Sequence, residues 1–321
     1  MKAYTIQKFN ELPSLVEKEV PIVDGHKSLI RVMASALNHR DVWITKGLYP
    51  GIVIGATMGS DCCGIDENGQ EVIINPGISW GNDQRFQAKD FRVLGVPDDG
   101  TFADYISIDN QYVFPKPFHL SSQEAAALPL AGLTAYRALI KRADLQPEDK
   151  VLISGVGGGV ALFGLQIAIS LGCEVYVTSG SSAKIQKAID LGARGGYLYR
   201  EVDWSKKLMH DSGGIDVVLD SAGGSGFHHF IQTAKPGGRI VFYGGTHGKI
   251  EQLNLQPIFW KQLSLLGSTM GSDSDFADML AFVALHRIKP VIDSVNDFDD
   301  LGQAFQRMAA GDQFGKIVIN H

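Results

Sequence analysis

The chain has only three cysteines, Cys62, Cys63 and Cys173, in 321 residues. An odd count with two neighbours adjacent builds no disulfide framework. No Cys-x-x-Cys pair occurs, which removes a cysteine-rich structural zinc site on ligand number alone. Basic residues never cluster. With a formal charge of -6 and no run of Lys or Arg, the chain lacks the footprint of a nucleic-acid binder. Long hydrophobic runs are missing too. The longest apolar stretches, Ala125 to Tyr136 and Val160 to Gly172, are too short and interrupted to span a bilayer. The opening MKAYTIQKFN has no apolar core of a signal peptide, so the expected location is the cytoplasm, away from membranes. Internal repeats and low-complexity segments are absent.

What remains has globular composition, 45% hydrophobic and 20% charged, and a length that accommodates two domains with separate cores. The first part is β-rich: runs such as Ser28 to Ala34 and Glu71 to Ile74 are punctuated by Gly, Pro and Asp. Ser121 or Ser122 can cap a helix through Glu124 to Leu128; Pro129 interrupts it, and a helical period resumes from Leu130 to Ile140. From Val151 strand and helix alternate. Strands are expected at Val151 to Ser154, Glu174 to Ser179, Tyr197 to Tyr199, Ile215 to Ser221, Arg239 to Tyr243 and Leu263 to Met270. This rhythm predicts a parallel sheet covered by helices on both faces. In the tail, Ala277, Leu280, Ala281 and Ala284 are expected to form one helix face. Leu301, Phe305 and Met308 form another, before Gly311 and a final strand, KIVIN.

The segment SGVGGGVA, Ser154 to Ala161, lies between a predicted strand and a predicted helix. That context gives a glycine pattern meaning. The chain must turn sharply, a pyrophosphate must approach backbone N–H groups at the helix N-terminus, and the helix must pack closely on the sheet. Gly155, Gly158 and Ala161 have the spacing for these three tasks. The turn through Gly155, Gly157, Gly158, Gly159 and Val160 is therefore the expected dinucleotide cradle. At the end of the next strand an NAD-binding chain usually carries an acid for the ribose 2′-OH. Here stand Ser179, Gly180, Ser181, Ser182 and Lys184. Hydroxyls and an ammonium suit a 2′-phosphate, which a carboxylate would repel. The expected cofactor is NADPH, with Ser182 also capping the following helix.

Several pieces, in order and spacing, resemble the medium-chain dehydrogenase/reductases of the zinc-free quinone oxidoreductase (zeta-crystallin-like) branch. They are MKAYTI, NHRDVWITKGLYPG (Asn38 to Gly51), GSDCCG (Gly59 to Gly64), LPLAGLTAYRAL (Leu128 to Leu139), the glycine turn, IDVVLDSAGG (Ile215 to Gly224), KPGGRIVFYGG (Lys235 to Gly245) and GKIVI (Gly315 to Ile319). The resemblance implies an α/β fold in which a Rossmann doubly wound parallel sheet, residues 119–270, is inserted into a β-rich GroES-like catalytic domain, residues 1–118 and 271–321. Zinc-dependent members hold their catalytic metal through a Cys where this chain has Asn38 and a His where it has Ser60. The place of their cysteine lobe, about Trp80 to Gly95, has no cysteine. No metal is expected. By the same resemblance Asn38 and Thr134 lie against the nicotinamide. Ser179, Lys184 and Tyr199 surround the 2′-phosphate and its ribose, and Ala222, Tyr243 and Gly244 line the carboxyl edge of the sheet. Trp43 stands where relatives often carry a tyrosine, which leaves Tyr49 as the better acid candidate nearby, with water as the other proton source.

Without a Lewis acid an isolated carbonyl is poorly activated, whereas a quinone or enone delocalises the charge that hydride brings. The expected reaction is NADPH-dependent reduction of such a small molecule by a homodimer. Two alternatives share the fold: a non-catalytic NADPH-binding protein, and a zinc-free alcohol or aldehyde reductase. Gly77, Ser79 and Gly81 also match the G-x-S-x-G pattern of a hydrolase elbow. No helix is predicted after them, so hydrolysis is set aside.

Overall fold

The alternation that begins at Val151 becomes a six-stranded, wholly parallel sheet. In chain order its elements are β1 (Lys150–Ile153), α1 (Gly159–Ser170), β2 (Glu174–Ser179), α2 (Ser182–Asp190), β3 (Gly195–Leu198), α3 (Trp204–Ser212), β4 (Ile215–Asp220), α4 (Phe227–Thr233), β5 (Ala234–Phe242), α5 (Leu255–Trp260) and β6 (Ser264–Gly267). The spatial order is β3-β2-β1-β4-β5-β6. Strand order reverses between β1 and β4, the switch point outside which a doubly wound sheet binds its ligand. Val151, Leu152 and Ile153 in β1 and Val217, Val218 and Leu219 in β4 are all buried. Continuous rather than alternating burial is what a sheet covered on both faces requires.

In the computed structural model all residues from Met1 to His321 are described, and they fall into two compact units, Thr134–Met270 and Met1–Leu133 with Gly271–His321. The second of these contains a seven-stranded sheet around Lys27–Ala36, which pairs antiparallel with Asp61–Ile65, Tyr105–Asp109 and Lys316–Asn320. The tail thus adds its last strand to the sheet of the head. The division falls at Leu133 rather than at Phe118, because helix Ser122–Ala126 packs on the strands Lys27–Ala36 and Asp61–Ile65. That helix has a reciprocal cap, with Ser121 Oγ accepting from Glu124 N–H at 3.2 Å and Ser121 N–H donating to Glu124 Oε2 at 2.8 Å.

Three expectations change. Helix Asp273–His286 buries Phe276, Met279 and Val283, while Ala277 and Ala281 are exposed. Two stripes of this helix have apolar spacing, and the one with larger side chains removes more area from water. β5 starts at Ala234, its KPGG segment absorbed by a register shift opposite Ile215 and Val217. The close packing of α1 on the sheet belongs to Gly164, not Ala161: a Cβ at Gly164 would stand 2.5 Å from Leu219 Cδ2. The helix Leu301–Ala310, by contrast, buries Leu301, Phe305 and Met308 and ends at Gly311, with φ +73°, as its pattern predicts.

Gly164→Val should therefore push α1 off β4 and cost about 1–3 kcal/mol. Urea unfolding of the variant beside wild type measures it, and an unchanged midpoint would show that the close approach is not needed.

Candidate cofactor and active site

The turn between β1 and α1 has the form its composition demands. Gly155 adopts φ +63° and Gly157 φ +135°, conformations that a side chain would strain. A Cβ on Gly155 or Gly158 would meet nothing within 4 Å, so the backbone here faces open space. Gly158 is the N-cap of α1 and offers no capping side chain. The amides of Gly159 and Val160, in the first turn of this twelve-residue helix, have no intrahelical acceptor and carry the positive end of its dipole. The turn is tied to β2 by Gly155 N–H to Thr178 Oγ1 at 3.2 Å and Val156 N–H to Thr178 O at 2.8 Å. An anion the size of a phosphate fits such a cradle.

The loop after β2 is built differently from its sequence expectation. Ser179 is buried, with Oγ donating to Val156 O at 3.4 Å and accepting from Ser181 N–H at 3.3 Å. It ties the two loops together. Ser181, not Ser182, caps α2, accepting from Lys184 N–H at 3.4 Å. Ser182 is the first helical residue and is exposed. Tyr199, partly exposed, follows β3, and its hydroxyl lies over the loop: a Cβ on Gly180 would stand 2.6 Å from Tyr199 Oη and 3.6 Å from an Arg200 guanidinium nitrogen. Arg200 carried no motif of its own. It is exposed, and its guanidinium lies beside the loop that holds Ser181 and Lys184.

At the carboxyl edge the organising group is Asp220, which is fully buried at the end of β4. Its carboxylate accepts from the Ser154 hydroxyl, from Ala222 N–H at 3.1 Å and from Gly223 N–H at 2.8 Å. One side chain thereby fixes the end of β1 and the turn bearing Ala222. Burial, and then the Asp220 carboxylate, hold the Tyr243 phenol above its ordinary range and hence protonated. Gly244 backs onto Ser221 O, 3.0 Å from where a Cβ would be. Thr134 is buried, its hydroxyl 3.8 Å from Met270 Sδ.

Residues 24–118 match the family model described as Alcohol dehydrogenase GroES-like domain, and residues 159–285 the one described as Zinc-binding dehydrogenase. The Zinc-type alcohol dehydrogenase-like protein YogA of Leptosphaeria maculans is 35% identical over 95% of this chain and 93% of its own length. The chain belongs to the medium-chain dehydrogenase/reductase superfamily. Human quinone oxidoreductase is 27% identical over 94% of this chain and 91% of its own. A solved NAD-dependent alcohol dehydrogenase superposes with a TM-score of 0.94 at 33% identity, both chains covered completely. This dehydrogenase/reductase is therefore an oxidoreductase with a Rossmann nucleotide-binding sheet and a GroES-like unit.

The residues at the superfamily's metal positions do not fit a zinc ion. Nowhere do three His, Cys, Asp or Glu side chains come together as a ligand group. Asn38 Oδ1 accepts from the Lys316 ammonium at 2.7 Å, and Ser60 Oγ from the Arg40 guanidinium at 3.2 Å. Both positions face buried cations. The neighbouring thiols are unsuited as well: burial pushes Cys63 up to about 12 and Cys62 well above its usual range. In place of a cysteine lobe, the 80–95 segment holds buried Trp80 edge-on to Phe91, ring centres 5.2 Å apart. Ser79 follows a two-residue strand with φ +60°, but its Oγ accepts from Arg92 at 3.3 Å and no helix leaves it. A nucleophile elbow is excluded.

Tyr49 packs, half-buried, against the core of its unit, and the Arg40 guanidinium lies 4.7 Å from its ring centre. Arg40 also donates to Leu94 O at 2.6 Å, leaving Nε without a partner. Trp43 is stacked edge-on to His39, at 6.0 Å. Beneath these lies Asp41, fully buried, with Oδ2 accepting from Asn38 N–H at 2.8 Å and Oδ1 unpaired. Burial pushes its carboxyl up to about 6.

A folded-state pKa above the unfolded value means that the native protein keeps a proton the unfolded chain releases. Stability then falls as pH rises from about 4 to about 6 and stays lower beyond, by on the order of 2–3 kcal/mol. Asp41→Asn keeps an oxygen for the Asn38 amide and removes that penalty. It should stabilise the protein by about 2 kcal/mol more near pH 8 than near pH 4. Urea titrations at the two pH values test this, and an equal effect at both would refute it.

Proposed function

We propose that this oxidoreductase binds NADPH and delivers its hydride to a quinone or an α,β-unsaturated carbonyl compound without a metal. The single observation that supports the cofactor choice best is the loop after β2: no carboxylate, a capped helix start, the Tyr199 hydroxyl over Gly180, and Arg200 beside it. Ser181, Lys184, Tyr199 and Arg200 would hold the 2′-phosphate. The open turn from Gly155 to Val160 would take the pyrophosphate. Ala222, Tyr243 and Gly244 would line the path to the nicotinamide end, where Thr134 belongs. When bound, the nicotinamide supplies the hydride. Among the chain's own groups, Tyr49 is the candidate proton donor, its ring held against Arg40.

Buried cations at the two metal positions favour the metal-free reading over the zinc chemistry in the names of its relatives. An acceptor whose own conjugation spreads the incoming charge then suits the site better than an isolated carbonyl.

We further propose a homodimer built on β6, an edge strand with partly exposed Leu265 and Leu266 beside the exposed Phe259 and Trp260 of α5. An apolar, unpaired edge invites another chain. Sedimentation at micromolar concentration should give a dimer; a monomer would contradict it.

Titration with both nucleotides tests the cofactor. Wild type should bind NADPH at least about tenfold more tightly than NADH, since an exposed charge-assisted contact is worth roughly one factor of ten. Arg200→Ala should remove most of that preference and leave NADH binding unchanged. Equal affinity of wild type for the two nucleotides would overturn the assignment, though not the Rossmann fold.

A further inference from the structure

Thr178, next to the end of β2, accepts two consecutive backbone N–H groups of the glycine turn. Its hydroxyl oxygen takes Gly155 N–H at 3.2 Å, and its carbonyl oxygen takes Val156 N–H at 2.8 Å. The residue is 2% exposed, so water does not compete for these bonds. The parallel register of β1 and β2 ends with Ile153 opposite Val177. Gly155 then leaves the sheet at φ +63°, and its N–H needs an acceptor outside the regular ladder. The Thr178 hydroxyl is that acceptor.

The residue before the turn is held from the other side. Ser154 N–H donates to Leu219 O at 3.0 Å, and the Ser154 hydroxyl to the Asp220 carboxylate, both on β4. After the turn, the first intrahelical bond of α1 is Leu162 N–H to Gly158 O at 3.0 Å, so the amides of Gly159 and Val160 precede it. Gly158, Gly159 and Val160 are partly exposed, whereas Val156 and Gly157 are buried. The turn therefore divides into two sets of amides. Those of Gly155 and Val156 are committed to β2, and those at the helix start remain for an anion. Only Gly157 and Gly158 separate the sets. Glycine gives the chain more backbone freedom than any other residue, so the first set must be anchored for the second to keep its place.

We propose that Thr178 is a positioning residue, whose hydroxyl fixes the peptide plane entering Gly155 and so aligns the helix-start amides on the pyrophosphate of the nucleotide. The assignment rests on the reading of the open turn as the pyrophosphate seat, in the same Rossmann unit as Thr178. A turn already aligned in the free protein spares the complex an ordering cost. That benefit is confined to ligands that carry a pyrophosphate.

The test compares NADPH with adenosine 2′-monophosphate, a probe that keeps the adenosine and the 2′-phosphate but has no pyrophosphate. Thr178→Val removes the acceptor at nearly the same volume and leaves Gly155 N–H unpaired. Thr178→Ala removes it and leaves room for that N–H to be hydrated, and Thr178→Ser keeps the oxygen. Ser154 still ties β1 to β4 in all three, and circular dichroism with thermal unfolding checks each fold. Thr178→Val should weaken NADPH by about tenfold and Thr178→Ala by about fivefold, the effect of one lost buried hydrogen bond. Thr178→Ser should stay within about twofold of wild type, and the monophosphate should bind every variant within about twofold. If Thr178→Val does not fold, Thr178→Ala carries the same comparison. Equal losses for the two ligands, or unchanged NADPH affinity without the hydroxyl, would overturn the positioning role and leave the cofactor reading standing. Wild type that binds neither ligand would overturn the pyrophosphate reading, and this assignment with it.

Discussion

The contact on which the GroES-like unit depends is the buried ion pair between Lys316 and Asp61, 2.9 Å apart and sealed from water. Two charges cannot be taken out of water cheaply, and removing either partner of such a pair typically costs about 3–5 kcal/mol. The pair is placed where that cost organises the most structure. Lys316 begins the strand that returns the tail to the head, and Asp61 begins a strand of the same sheet. Through Leu130 N–H and the Asn38 amide, the pair also reaches the start of helix Pro129–Tyr136 and the start of helix His39–Thr45. In the Rossmann unit Asp220 has a comparable position, a buried carboxylate holding the ends of β1 and β4 through one hydroxyl and two amides.

Much of this architecture was legible in the sequence. Buried strands such as Glu71–Ile74 and Glu174–Ser179 occupy the residues their patterns predict, because composition and punctuation agree there. The glycine turn was legible for the same reason: φ +63° and +135° admit little besides glycine. The misses have a common cause, which is that packing decides between equivalent local patterns. Asp273–His286 offers two apolar stripes, and only its packing partners, Phe114 and the helix bearing Gly132 among them, select Phe276, Met279 and Val283. Nothing local says that Gly164 rather than Ala161 touches Leu219, or that Ser181 rather than Ser182 turns inward to cap α2. Arg200, Asp220 and Lys316 were invisible as site residues because their partners lie far away in sequence. A charged residue that falls within a regular element and resists solvation is the one signal that could have pointed to Lys316 and Asp220.

Membership of the superfamily leaves the chemistry open, since one fold hosts many reactions. The names of the relatives point in different directions, one zinc-type, one NAD-dependent, one a quinone oxidoreductase. The residues of this chain decide more than those names. Arg40 and Lys316 bring two cations to the positions where other members bind a metal, and the thiols beside them are held protonated by burial. On the proposed metal-free reading the protein's part in catalysis is orientation, with a tyrosine ring held by a guanidinium.

The most direct measurement is hydride transfer by protein whose zinc content has been reduced below about a tenth of an equivalent by chelation, checked by elemental analysis. Such protein, mixed with NADPH and a panel of quinones, enones and simple aldehydes, should oxidise the nucleotide with the conjugated acceptors at the same rate as before chelation, and barely with the aldehydes. Activity that disappears with the metal and returns with added zinc, or that favours the isolated aldehyde, would contradict the account.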